Sequence, residues 1–154
     1  MIFRVLENVM RNACRYSENK IFVRLYEQNH LLSFEMIDDG AGFSLEALER
    51  ALTPFYTSGQ SESPHFGLGL NICKMLCEKH GGSISIGNTP DSGARVQFSF
   101  LLEKSWANSQ IPDHTGYFNR EGMNARLEAS GFECVDFQLV NPFTNYYEKP
   151  ETGT

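Results

Sequence analysis

The sequence predicts an α/β domain in which amphipathic helices pack on paired strands, and three observations lead there. Segments 2–17 and 68–80 repeat apolar residues at helical spacing. Segments 21–27, 31–38, 83–88 and 94–102 read as strands, joined in pairs by short turns. The chain has 154 residues, 41% hydrophobic and 12% aromatic, which suits one domain with a sizeable core and excludes wholesale disorder.

The first helix, 2–17, has Ile2, Leu6, Val9 and Ala13 as its buried stripe. Asn8, Asn12 and Arg15 form a second stripe about 120° away at 100° per residue, and Tyr16 borders both. Strands 21–27 and 31–38 follow, joined by a QNH turn. Leu32, Phe34 and Met36 share one face, and Asp38 continues their phase, so that carboxylate needs a partner. Asp39-Gly40-Ala41-Gly42 breaks the strand, and Ser44 is the expected N-cap of a short helix over 45–52. Residues 56–66 are polar, Ser-rich and expected to be flexible. Helix 68–80 turns Leu68, Ile72, Leu76 and Met75 inward and stops at Gly81-Gly82. Strands 83–88 and 94–102 pair across the turn TPDSG, with Ala94, Val96, Phe98 and Phe100 on one face.

A net charge of −6 argues against nucleic acid or an anionic membrane as the main partner. Any phosphate site must then be built locally, from a few basic groups and backbone amides. No apolar run approaches the roughly 18 residues of a membrane span. The amino end is no signal peptide, since Arg4 and Glu7 interrupt it. Cys14, Cys73, Cys77 and Cys134 form no CxxC pair and read as reduced, cytosolic thiols. Cys73, Cys77 and His80 share a helical face on which zinc could sit, but no fourth ligand is evident, which favours plain core cysteines.

Three features converge on a nucleotide. Amide oxygens at Asn8 and Asn12 suit Mg²⁺, and the Arg15 guanidinium suits phosphate. Against this stands a merely solvated helix face. Asp38 at a strand end can accept a hydrogen bond from an exocyclic amine, and Gly40 and Gly42 let the backbone approach a ring. A capped turn is the plain alternative. Phe66-Gly67-Leu68-Gly69-Leu70 opens a helix, where free N–H groups and the positive dipole end attract anions. A hinged loop would look the same.

In this order and spacing, residues 6–102 resemble the ATP-binding catalytic domain of sensor histidine kinases, in the family that includes gyrase, the Hsp90 chaperones and MutL. LENVMRNACRYS (6–17) resembles the asparagine box, DDGAGF (38–43) the first glycine box and PFYTS (54–58) the phenylalanine box. FGLGLNICKMLCEKHGGSI (66–84) resembles the second glycine box with its helix and strand, and SGARVQF (92–98) the approach to the last strand.

The resemblance implies a Bergerat-type two-layer α/β sandwich, with a mixed, mostly antiparallel sheet and helices on one face. It implies Asn12 as the Mg²⁺ ligand, Asn8 as its neighbour near metal and phosphates, and Arg15 on the phosphate tail, which together make the catalytic set. It places Tyr16 beside the adenine and Asp38 on the adenine amine. Gly40, Gly42, Phe55, Gly67, Leu68, Gly69 and Leu70 would line the pocket and its lid, with 56–66 as a short lid over the triphosphate. Hydrolytic members carry a Glu four residues before the metal-binding Asn, as general base on water. Asn8 stands there and cannot take a proton, while Glu7 lies about 100° round the helix. Phosphoryl transfer to another protein is therefore favoured over hydrolysis.

His65 replaces a common glycine of the second glycine box and reads as a loop histidine. The family's preceding helix and strand and its dimerising hairpin are missing ahead of the asparagine box. His30, His65, His80 and His114 lack a phosphoacceptor context, so the acceptor is expected elsewhere. The expected layout is an ATP-binding domain over 1–103, a linker over 104–116, a helix–strand extension over 117–148 and a frayed tail over 149–154. The extension faintly resembles the closing helix–strand unit of class I methyltransferases, but no glycine-rich cofactor loop precedes it, so no methyl transfer is expected. It is expected to dock on an open sheet edge, with an independent appendage as the alternative.

The expected function is thus Mg·ATP binding for phosphorylation of a histidine on a dimerisation domain, and indirectly of a response regulator. No nucleic acid or membrane contact is expected of this chain, which is placed in the cytoplasm, though a parent protein could be membrane-anchored. A non-catalytic nucleotide-binding or interaction module and a slow ATPase are the alternatives.

Overall fold

The apolar repeat that opens the chain becomes helix α1 (Ile2–Tyr16). Val5, Leu6, Val9, Met10 and Ala13 are buried, a wider arc than the expected stripe because α1 is covered both by the sheet and by another helix. The structure is a computed structural model that describes residues 2–57, 69–101, 125, 128–129, 131, 133–139 and 143–148. The expectations for the lid, for His65, Gly67 and Leu68, for the linker 104–116 and for the tail 149–154 fall outside these residues.

Strands β1 (Lys20–Gln28) and β2 (Leu31–Asp38) form a hairpin. Asn29 and His30 both take left-handed backbone at its tip, the conformation that matches strand twist in two-residue turns. Helix α2 (Leu45–Arg50) begins at Ser44, whose side chain accepts the Ala47 N–H at 3.1 Å, as the N-cap expectation requires. Helix α3 (Gly69–Lys79) ends where Gly81 turns left-handed and Gly82 N–H bonds the Cys77 carbonyl at 2.9 Å. Strands β3 (Ile84–Asn88) and β4 (Ala94–Leu101) form the second hairpin. Strands β5 (Glu133–Leu139) and β6 (Phe143–Glu148) form a third, of which the sequence analysis contains only the first strand.

The strands make one sheet in the order β3-β4-β2-β1-β6-β5, antiparallel at every described pairing. Strand β6 lies along the edge of β1, with Lys20 opposite Glu148 and Leu25 opposite Phe143. Helices α1 and α3 pack on each other and on one face of the sheet. The core between them holds Ile21 and Val23 of β1, Phe34 and Met36 of β2, and Val96, Phe98 and Phe100 of β4. Phe34 stacks on Phe98 at 4.7 Å, and Phe100 meets Phe98 edge-on at 5.9 Å.

Helix α3 contributes Cys73 and Cys77, both fully buried. Met75 is exposed, contrary to the expected inward set, because two residues round the helix from Cys73 it faces away from the sheet. Burial pushes the Cys73 thiol up to about 11 and the Cys77 thiol up to about 12. These are packed thiols, and among the described residues no cluster of three or more metal-binding side chains exists. No described helix is long and apolar enough to cross a membrane.

Candidate functional site

The helix-covered face of β2 ends in Asp38, directly opposite Ile21 of β1. Its carboxylate is 8% exposed and has no basic partner among the described residues. Oδ1 accepts the N–H groups of Gly40 at 2.9 Å and Ala94 at 3.3 Å. No described donor reaches Oδ2. Burial is the largest influence on Asp38 and raises its pKa above 3.8, against the two backbone N–H groups that lower it. A strand end that holds a half-satisfied carboxylate is an acceptor waiting for a donor.

The loop after Asp38 is folded tightly against the end of α1. A side chain at Gly40 would run into the carbonyl oxygen of Tyr16. Gly42 takes a left-handed backbone at φ 76° with the Ser92 carbonyl behind it, so two requirements select glycine there. Asp39 points the other way. Its carboxylate accepts the N–H groups of Glu18 and Asn19 at 2.9 Å and ties the start of β1 to this loop. Those backbone N–H groups and that of Lys20 outweigh desolvation, the largest single influence, and hold the Asp39 pKa below 3.8.

Along α1 the polar stripe climbs toward this loop. Asn8 and Asn12 are half-buried, while Arg15 and Tyr16 are exposed, with the Arg15 guanidinium 5.6 Å above the Tyr16 ring. The Cys73 thiol of α3 donates to the Val5 carbonyl at 3.8 Å, and the Asn8 side chain beside it lowers the thiol's pKa against the larger effect of burial. Glu7 turns outward to Arg11 at 3.6 Å, away from the stripe. The expected residues of α1 thus stand on one helical face that leads to Asp38, Gly40 and Gly42.

Helix α3 begins at Gly69, with Leu70 half-buried in its first turn. No described residue crowds Gly69, so close approach by the described atoms does not explain that glycine. Asn71 donates to the Leu52 carbonyl at 3.0 Å and fastens this turn to the end of α2. Phe55 is three-quarters exposed and holds a left-handed backbone at φ 64°, a costly conformation for a residue with a side chain. Gly67 and Leu68 lie outside the described residues.

Two contributors were missed by the sequence analysis. Asn88, the last residue of β3, clamps the loop through both atoms of its amide onto Phe43. Ala94 supplies one of the two N–H groups on Asp38. Only the TPDSG turn signal hinted at either.

A family model for histidine kinase-, DNA gyrase B-, and HSP90-like ATPases matches residues 1–104. The sensor protein KdpD of Clostridium acetobutylicum is 36% identical over 108 residues, covering 67% of this chain and 12% of that protein. The sensor histidine kinase CpxA of Escherichia coli K12 is 36% identical over 102 residues, covering 64% of this chain and 22% of that one. This chain therefore spans under a quarter of either relative. The nucleotide-free catalytic domain of histidine kinase ThkA is similar with a TM-score of 0.57 at 28% identity, covering 66% of each chain. The mycobacterial sensor histidine kinase MprB is similar with a TM-score of 0.56 at 25% identity, covering 64% of this chain and 70% of that one.

Proposed function

The chain belongs to the family of histidine kinase-, DNA gyrase B-, and HSP90-like ATPases, and we propose that it binds Mg·ATP and donates the γ-phosphate to a histidine on a separate dimerisation domain. The observation that carries this reading is Asp38: a buried carboxylate with one oxygen held by backbone and the other without a described donor. An adenine exocyclic amine supplies that missing donor. Gly40 lets the loop press against the end of α1, where the exposed Tyr16 ring also stands.

Asn12, with Asn8 one turn before it, would hold Mg²⁺ through an amide oxygen, the remaining ligands being phosphate and water oxygens. The donor chemistry fits, since Mg²⁺ asks for oxygen and few protein ligands. When bound, the ion neutralises charge on the phosphates. Arg15 is free to exchange its stacking on Tyr16 for a phosphate oxygen. The amide groups of Gly69 and Leu70 at the start of α3, with those of Gly67 and Leu68 before them in the sequence, would complete the phosphate cradle. The acceptor nitrogen forms the new N–P bond as the bond from Pγ to the ADP oxygen breaks, and positioning supplies most of the rate.

Hydrolysis is disfavoured by two residues. Asn8 cannot accept the proton of a water molecule, and Glu7 is turned outward to Arg11. The phosphate is destined next for a response regulator, and the chain works in the cytoplasm.

Calorimetric titration with a Mg·ATP analogue tests the reading. Micromolar binding by the wild type, weakened by about 1–3 kcal/mol in Asp38→Asn, is the expected result. Absence of binding by folded wild-type protein would overturn it. Addition of a phosphoacceptor domain with labelled ATP should then label the acceptor histidine, and Asn12→Ala should abolish that labelling.

A further inference from the structure

The loop that follows Asp38 does not hold itself in place. Phe43 N–H donates to Oδ1 of Asn88 at 2.7 Å, and Nδ2 of Asn88 donates back to the Phe43 carbonyl at 2.8 Å. One side-chain amide therefore imitates the two-bond pairing of an antiparallel strand, across 45 residues of sequence. The turn behind it is stiff. Gly93 N–H bonds Oγ1 of Thr89 at 3.1 Å, Thr89 N–H bonds the Gly93 carbonyl at 2.8 Å, and Ser92 N–H bonds the Thr89 carbonyl at 3.1 Å. The same turn delivers Ala94 N–H to Asp38 and sets the Ser92 carbonyl behind Gly42.

We infer that Asn88 is a positioning residue for base recognition: it fixes the Gly40–Phe43 loop against the β3–β4 turn, so that Asp38 presents its second oxygen in one place. This rests on the reading of Asp38 as the adenine acceptor. Asn88 touches no nucleotide itself. It is exposed and outside the hydrophobic core, so its removal leaves that core intact. Loss of the clamp widens the range of positions that Asp38 and Gly40 visit, and the interaction that suffers is the one that depends on direction, the bond to the exocyclic amine.

The test compares Mg·ATP with Mg·ITP, in which a carbonyl replaces that amine, by calorimetry on the whole chain. Wild type is expected to prefer ATP. In Asn88→Ala, ATP affinity should fall about tenfold, the scale of two lost hydrogen bonds in a half-exposed site, while ITP affinity changes by less than about twofold. Equal weakening of both nucleotides, or an unchanged ratio, would overturn the inference while leaving Asp38 in its role. A wild type that binds both equally would instead overturn the adenine reading of Asp38. If Asn88→Ala fails to fold, Asn88→Asp keeps the shape and the acceptor for Phe43 N–H and removes only the donor, and the same ratio decides.

Discussion

Strand β2 carries two buried carboxylates on opposite faces of the sheet, and the protein treats them differently. Glu35, on the face away from the helices, is 3% exposed. It meets Arg95 of β4 at 2.5 Å, Arg24 of β1 at 3.4 Å and the Gln97 amide at 3.2 Å. Asp38, on the helix face, has two backbone N–H groups and no cation among the described residues. The compensated carboxylate ties three strands together. The other bears a burial cost that two backbone N–H groups relieve only in part, and costs of this kind gather where a ligand is to be bound.

The sharpest way to break this contrast is Glu35→Ala. It strands two half-exposed guanidinium groups and removes buried bonds, so unfolding by urea should show a loss of about 2–3 kcal/mol. ATP affinity should stay within about twofold, because Glu35 lies on the opposite face of the sheet from Asp38. A parallel loss of binding would mean that the two carboxylates do one job.

Asp38→Asn should behave in the opposite way. The amide oxygen keeps both backbone bonds, and the cost of a buried charge disappears. Thermal unfolding should stay in place or move up, even as calorimetry records the weakened ATP binding. A variant that lost stability together with affinity would make Asp38 a structural residue like Glu35.

The pH dependence follows from the direction of each shift. The Asp38 pKa lies above 3.8 in the folded chain, so ionisation there costs stability as pH rises through the folded value. The stability gain of Asp38→Asn over wild type should therefore be largest at neutral pH and vanish below 3.8. Asp39 has the reverse sign. Its stabilisation is present above 3.8 and is lost as pH falls through its lower folded value. Thermal scans of both proteins across that range would show whether the two neighbours part in this way.

The smallest effect belongs to Asp39→Ala, which frees the Glu18 and Asn19 N–H groups to solvent. About 0.5 kcal/mol of stability should be lost in the urea transition, with ATP affinity unchanged.

Local signals in the sequence were enough for much of this. Period and phase placed α1, the β1–β2 and β3–β4 hairpins and the face of β2 that carries Asp38, because each depends on neighbours within one or two turns. Ser44 was legible for the same reason. The rest depends on partners far along the chain. Glu35 reads as an outward polar residue until Arg95 is brought to it across 60 residues. Asn88 reads as a turn residue until Phe43 arrives. Met75 was misplaced because the buried arc of α3 centres on two small cysteines, where a bulkier aliphatic stripe was the natural choice. Strand β6 escaped notice because FTNYYE is short and follows Asn141-Pro142, a turn signal that hides a strand start.

The pairing of β6 with β1 has a temporal side. On the ribosome Lys20 emerges long before Glu148, its partner across the sheet. Until then β1 presents an open row of backbone donors and acceptors beside an assembled core. A nascent chain at that stage is a template for any extended peptide nearby, and closing so long a loop is slow. The growing polypeptide therefore needs shielding along β1 until Phe143–Glu148 has emerged, and the pairing of β6 ends that dependence.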